Sequence, residues 1–200
     1  MCRWHLSEFW SEDEKYNRRI SMDYARRALV LGEDDPATLA NAAYVLAGQG
    51  EDVDTMLGIV DRALALHPSF ARGWYISGNM KAWAGDYDTA IERLEVSLRL
   101  SPRARVGSQP FALGLAYLLK RQFDRAAQYM QTAMQEQPGS AIVARSLAAC
   151  YAHMGRLAEA REMFERVRAM GAPIIHEQNR GSEHENLIEA GLRLAMGQEA

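Results

Sequence analysis

Three stretches of this sequence close on a proline in the same way. Ala63-Leu64-Ala65-Leu66-His67-Pro68 and Ser97-Leu98-Arg99-Leu100-Ser101-Pro102 share the form small-Leu-x-Leu-x-Pro 34 residues apart, and Ala133-Met134-Gln135-Glu136-Gln137-Pro138 follows after a further 36. Upstream of each lies the same succession: an apolar-periodic stretch, a short polar break, then a second apolar-periodic stretch. No other feature constrains the fold so strongly. A unit of this length is a pair of helices that cannot bury its apolar face alone, so neighbouring units must stack into a continuous core.

The breaks carry helix punctuation. In Trp83-Ala84-Gly85-Asp86-Tyr87 a glycine sits just past one helix and an aspartate is placed to cap the next. Gly48-Gln49-Gly50 and Met154-Gly155-Arg156 repeat the arrangement. Pro36 and Pro110 suit first-turn positions, where a missing N–H costs nothing. Ser11-x-x-Glu14 and Ser182-x-x-Glu185 read as capping boxes. No segment alternates with period two, so no strand is expected and the fold class is all-α.

At this point the residues resemble a known family. Trp74, Ser77-Gly78, Gly85, Tyr87, Ala90, Leu94, Ser97 and Pro102 are similar to the tetratricopeptide signature. Leu113-Gly114, Tyr117, Phe123, Ala126, Met130, Ala133 and Pro138 match it again, as do Leu147-Ala148, Tyr151, Gly155, Leu157, Ala160 and Phe164. In the earliest complete copy, Ala37 to Phe70, Tyr44 stands where a small residue is expected, and a half copy, Tyr24 to Leu31, precedes it. The resemblance implies a right-handed superhelical solenoid of antiparallel helix pairs: a partial repeat over 1–35, repeats over 36–70, 71–104, 105–140 and 141–172, and a linker and capping helix over 173–200. Small residues at Gly78, Ala90, Gly114, Ala126, Ala148 and Ala160 let paired helices approach, and Trp74, Leu94, Tyr117, Met130, Tyr151 and Phe164 fill the space left. The loop Ser101 to Gln109 and the ending Gly191 to Ala195 are also similar to carboxyl-terminal repeat regions of bacterial proteins with an adenylate/guanylate cyclase or winged-helix domain upstream. By that likeness the helix expected over Cys2 to Trp10 is a truncated half repeat, the tail of something longer.

Composition removes several function classes. The net charge is −3, and basic clusters such as Arg99, Arg103 and Arg105 are offset by Glu51, Asp52 and Asp54, so the counterion-displacing face of a nucleic-acid binder is not expected. No stretch approaches the roughly 18 apolar residues of a membrane span, and Met1 to Trp10 has no apolar signal core. Cys2 and Cys150 make no disulfide framework or zinc pattern and fit a reducing cytoplasm; Cys150, flanked by alanines, reads as a small buried hydrophobe. His5, His67, His153, His176 and His184 form no metal-ligand spacing, and no phosphate-binding loop is present. Glu92 and Glu95 read as a solvated helix face. No catalytic residue, cofactor or metal is expected in this chain.

What remains is a surface. The tetratricopeptide resemblance implies that the first helix of each pair carries ligand-contacting positions on one stripe. Carried onto this sequence, those positions are Asn41 in the first complete repeat, Arg72, Tyr75, Asn79 and Trp83 in the second, Phe111, Leu115, Leu118 and Leu119 in the third, and Arg145 and His153 in the fourth. The second set recurs at helical spacing, so it shares one face. Arginine and asparagine can grip a peptide backbone or carboxylate, and tyrosine and tryptophan supply rigid contact area. The expected partner is a protein or peptide. A second copy of the chain is the alternative occupant, joined through the apolar third-repeat stripe. The apolar stripe Leu187, Ile188, Gly191, Leu192 and Ala195 is expected to cover the end of the fourth repeat near Phe164 and Val167, with the concave side as its other reachable seat.

Overall fold

A computed structural model of the chain describes residues 14–102, 108–171 and 183–197. The described residues form helices and no strands. They fall into two compact units, one running to Gly107 and one from Ser108. The first contains α1 (Glu14–Leu31), α2 (Pro36–Gly48), α3 (Val53–Leu66), α4 (Ala71–Trp83) and α5 (Tyr87–Leu100). The second contains α6 (Gln109–Leu119), α7 (Phe123–Glu136), α8 (Ala141–His153), α9 (Leu157–Ala169) and α10 (Glu183–Ala195). The expected helix over Cys2 to Trp10, Ser11, Ser182 and most of the linker lie outside the described residues.

Four hairpins, α2–α3, α4–α5, α6–α7 and α8–α9, turn by one device. After the last helical turn a residue takes positive φ, and the next N–H reaches back to the carbonyl five residues earlier: Glu51 to Leu46, Asp86 to Lys81, Gln122 to Tyr117 and Arg156 to Tyr151, at 2.9–3.0 Å. Glycine occupies the positive-φ position at Gly50, Gly85 and Gly155; in the third hairpin Arg121 holds it with φ 57°. That turn has no glycine to mark it in the sequence.

Aspartates start three of the helices. Asp35, Asp52 and Asp86 accept the amide N–H of Thr38, Thr55 and Thr89. Hydrogen bonds from those threonines, hydroxyl first, hold each carboxyl below its ordinary value of 3.8. A depressed folded-state pKa gives stability that is present above the unfolded value and lost as pH falls through the folded one. The melting temperature is therefore expected to drop as pH falls below 3.8. The combined Asp35→Asn, Asp52→Asn, Asp86→Asn variant, which keeps the caps but cannot titrate, should flatten that part of the curve; an equally steep fall would remove the caps as its source.

Within each pair the packing follows the small–large pattern. A Cβ on Gly78 would lie 2.6 Å from Leu94 Cγ and 3.0 Å from the Ala90 carbonyl. On Gly114 it would lie 2.7 Å from Met130 Cγ and 3.2 Å from the Ala126 carbonyl. Ala90, Ala126, Ala148, Ala160, Leu94 and Met130 are fully buried, with Tyr117, Tyr151 and Phe164 nearly so. Trp74 departs from the expectation: it is half-buried, and its indole N–H donates to the Pro68 carbonyl at 2.8 Å. Cys150 is buried among these residues, its Sγ 3.9 Å from Met130 Sδ, and burial pushes its thiol up to about 12.

The first hairpin also resolves the oversized Tyr44. α2 and α4 start 35 residues apart, at Pro36 and Ala71, and their positive-φ glycines, Gly50 and Gly85, are 35 apart too. The second helices, starting at Val53 and Tyr87, are 34 apart. One extra residue, Glu51, therefore sits between the turn and the next N-cap. Read with that offset, Ala43 occupies the place of Gly78 and is fully buried, as is Val60 in the place of Leu94. Tyr44 moves to the place of Asn79, on the outer stripe.

Candidate functional site

In the first unit the stripe residues sit on α2 and α4, which pack side by side. Arg72 Nε donates to Asn41 Oδ1 at 2.8 Å, so the two anticipated residues meet. The Asn41 amide donates back to the Ala37 carbonyl at 2.7 Å, and the Asn79 amide donates one turn back to the Tyr75 carbonyl at 2.8 Å. The indole of Trp83 stacks on the ring of Tyr44, centroids 5.0 Å apart and planes 17° from parallel, with 43% of the residue still open to solvent. Trp83 thus leans back on the first repeat. Tyr44 was missed because a uniform 34-residue spacing turned it inward. The glycine-marked turns, counted from Gly50 to Gly85, carry the signal that would have placed it.

In the second unit the anticipated residues behave differently. Leu118 is fully buried and Leu119 nearly so, while Phe111 and Leu115 are half-buried. Much of the apolar third-repeat stripe is thus covered. Arg145 is 1% exposed and makes a two-pronged pair with Glu185 of α10, Nη1 to Oε1 at 2.6 Å and Nη2 to Oε2 at 3.2 Å. His153 Nε2 lies 2.9 Å from the Leu187 carbonyl, and its ring stacks on Phe123 at 4.7 Å. Between them Gly191 lies on Ala149, where a Cβ would come within 2.7–2.9 Å of the Ala149 Cα, Cβ and O. Arg161 Nε closes the far end, donating to the Ala195 carbonyl at 3.0 Å.

The tail helix is therefore seated chiefly on α8, with smaller contacts on α9 and α6. Of the two seats expected for it, the first helix of the fourth repeat carries most of the packing, and the contact with α9, the helix of Phe164 and Val167, is the smaller one. The stripe Leu187, Ile188, Gly191, Leu192 and Ala195 is buried as anticipated. Glu185, expected to serve a capping box, is 1% exposed against Arg145. Its role was invisible beforehand because the two residues are 40 apart with no periodic relation.

The site has the chemistry of contact, with aromatic faces, amides and guanidinium groups. Among the described residues no group of three or more His, Cys, Asp or Glu could hold a metal, and no helix is long and apolar enough to cross a membrane.

Residues 117–173 match the sequence model of the tetratricopeptide repeat. No curated protein matches the sequence. Among solved structures the chain is similar to MamA, residues 41 to the end, from Desulfovibrio magneticus RS-1, at 21% identity over 90% of this chain and 98% of that one, with a TM-score of 0.64. It is similar to a thermophilic tetratricopeptide-repeat protein of Thermus thermophilus at 19% identity, 88% and 91% coverage and a TM-score of 0.66. It is also similar to YrrB, described as a tetratricopeptide-repeat protein with an unusual peptide-binding site, at 22% identity, 86% and 96% coverage and a TM-score of 0.61. At these identities the likeness is one of fold. None of these matches links the chain to a cyclase-type or winged-helix protein.

Proposed function

We propose that this tetratricopeptide-repeat protein is a protein-interaction module that holds a peptide or protein segment on the first-helix stripe of its first unit, lined by Asn41, Tyr44, Arg72, Tyr75, Asn79 and Trp83. The observation that carries the reading is the Tyr44–Trp83 stack beside the Arg72–Asn41 pair. A tryptophan held rigid by a neighbour yet 43% open presents a large apolar area at little entropic cost. The adjacent guanidinium supplies donors for a carbonyl or carboxylate. Such a rigid aromatic beside a charged fork is the usual composition of an energetic centre in an interface.

Selection of displayed peptides on the full chain tests this. Peptides enriched on the wild type should lose about 30-fold in affinity for Trp83→Ala, the loss that truncating a central aromatic anchor of roughly 2 kcal/mol produces. Arg99→Ala, an exposed change on α5, should leave the affinity unchanged. Selected peptides that bind Trp83→Ala as tightly as the wild type would place the working surface elsewhere.

A further inference from the structure

The seat of α10 on α8 differs from the way the repeats stack. Against the preceding pair, α4 of the first unit divides its packing between α3 and α2, and α8 of the second packs on α7 far more than on α6. A helix that merely continued the stack would follow that preference and lie on α9. α10 reverses it and lies on α8. The residues it covers are Arg145, Ala149 and His153, each 70 positions after Tyr75, Asn79 and Trp83, so it occupies on the fourth repeat the stripe that on the second is half-buried at Tyr75 and Asn79 and exposed at Trp83. The contact is also specific in chemistry. A buried ion pair is a poor device for stability compared with apolar packing, but it discriminates strongly between partners that supply the second charge and partners that do not. The Gly191–Ala149 approach adds a steric condition that glycine meets and a Cβ does not, since a Cβ would lie 2.7 Å from the Ala149 Cα.

We propose that this face of α8 is a receptor for an amphipathic helix, with α10 as its resident occupant in cis. α10 keeps the site closed against a partner helix of the same chemistry. That chemistry is a carboxylate to meet Arg145, a glycine to lie on Ala149, and aliphatic residues between them where α10 has Leu187 and Ile188. The inference rests on reading first-helix stripes as contact surfaces, and it names the class of partner for the second unit. His153 and Arg161 recognise backbone carbonyls at two points along the bound helix, which any helix of that length offers.

The test uses a fluorescent peptide with the sequence of residues 183–197 and the full-length chain. Gly191→Val places a side chain against the Ala149 backbone and should push the chain's own α10 off its seat. The peptide, which keeps its glycine, should then bind Gly191→Val at least about tenfold more tightly than wild type, whose site is filled. Adding Arg145→Ala to Gly191→Val should reverse the gain. A folded Gly191→Val chain that ignores the peptide would overturn the proposal, as would peptide binding unaffected by Arg145→Ala. If Gly191→Val does not fold, hydrogen exchange on the wild type decides. Amides of α10 exchanging roughly 100-fold faster than those of α8 support a separable occupant, and exchange in step with α8 refutes it. Because no reading here involves Trp83, failure of this proposal is distinguishable from failure of the first-unit stripe.

Discussion

Arg145→Ala is expected to strip α10 of its protected amides while α8 and α9 keep theirs. The change leaves Glu185 as a carboxylate at 1% exposure without its guanidinium. Removing one partner of a buried pair costs about 3–5 kcal/mol while the other charge stays buried. The carboxylate escapes that penalty when the helix carrying it leaves its seat and lets water in. The companion variant Arg145→Met with Glu185→Leu replaces both charges by apolar groups of comparable length, and the same reasoning has it keep α10 in place. Hydrogen exchange across residues 183–195 reads both. Wild-type protection of α10 in Arg145→Ala would mean that the pair contributes little to the docking.

The second large effect belongs to the core. Leu94→Ala should destabilise the first unit by about 2–5 kcal/mol, the cost of a cavity at a fully buried leucine. Relaxation is limited because Leu94 already abuts the backbone of α4 at Gly78. Trp74→Ala should cost less, although tryptophan is the residue a sequence reading ranks first. Its ring is only half-buried, and the hydrogen bond lost, to the Pro68 carbonyl, leaves an acceptor that water can reach. Denaturant unfolding of both variants orders them. A Trp74→Ala loss exceeding that of Leu94→Ala would put the weight of the packing on the pair's outer edge.

The helix pairs were legible because everything that makes them lies within one unit. Caps such as Asp86 and Thr89 are three residues apart, turn glycines such as Gly85 sit at the break itself, and the small–large contact of Gly78 with Leu94 spans only sixteen positions. Misreadings arose where one unit departed from the common length. A single added residue, Glu51, rotated the first-repeat helix in the reading and hid Tyr44, which the stack on Trp83 brings back to the surface.

Periodicity and punctuation by themselves determined that this chain is built of helix pairs, where the pairs begin, and which faces are small enough to meet. These are short-range steric and hydrogen-bonding conditions repeated at a fixed interval, so a linear string displays them. Tertiary structure alone decided what the stripes touch. Nothing in the sequence pairs Arg145, marked there as a stripe position, with Glu185, marked as a capping-box residue, and the fit of Gly191 on Ala149 depends on an approach between residues 42 apart. A contact of that kind is specified by complementary shape and charge across the fold, and neither has a period.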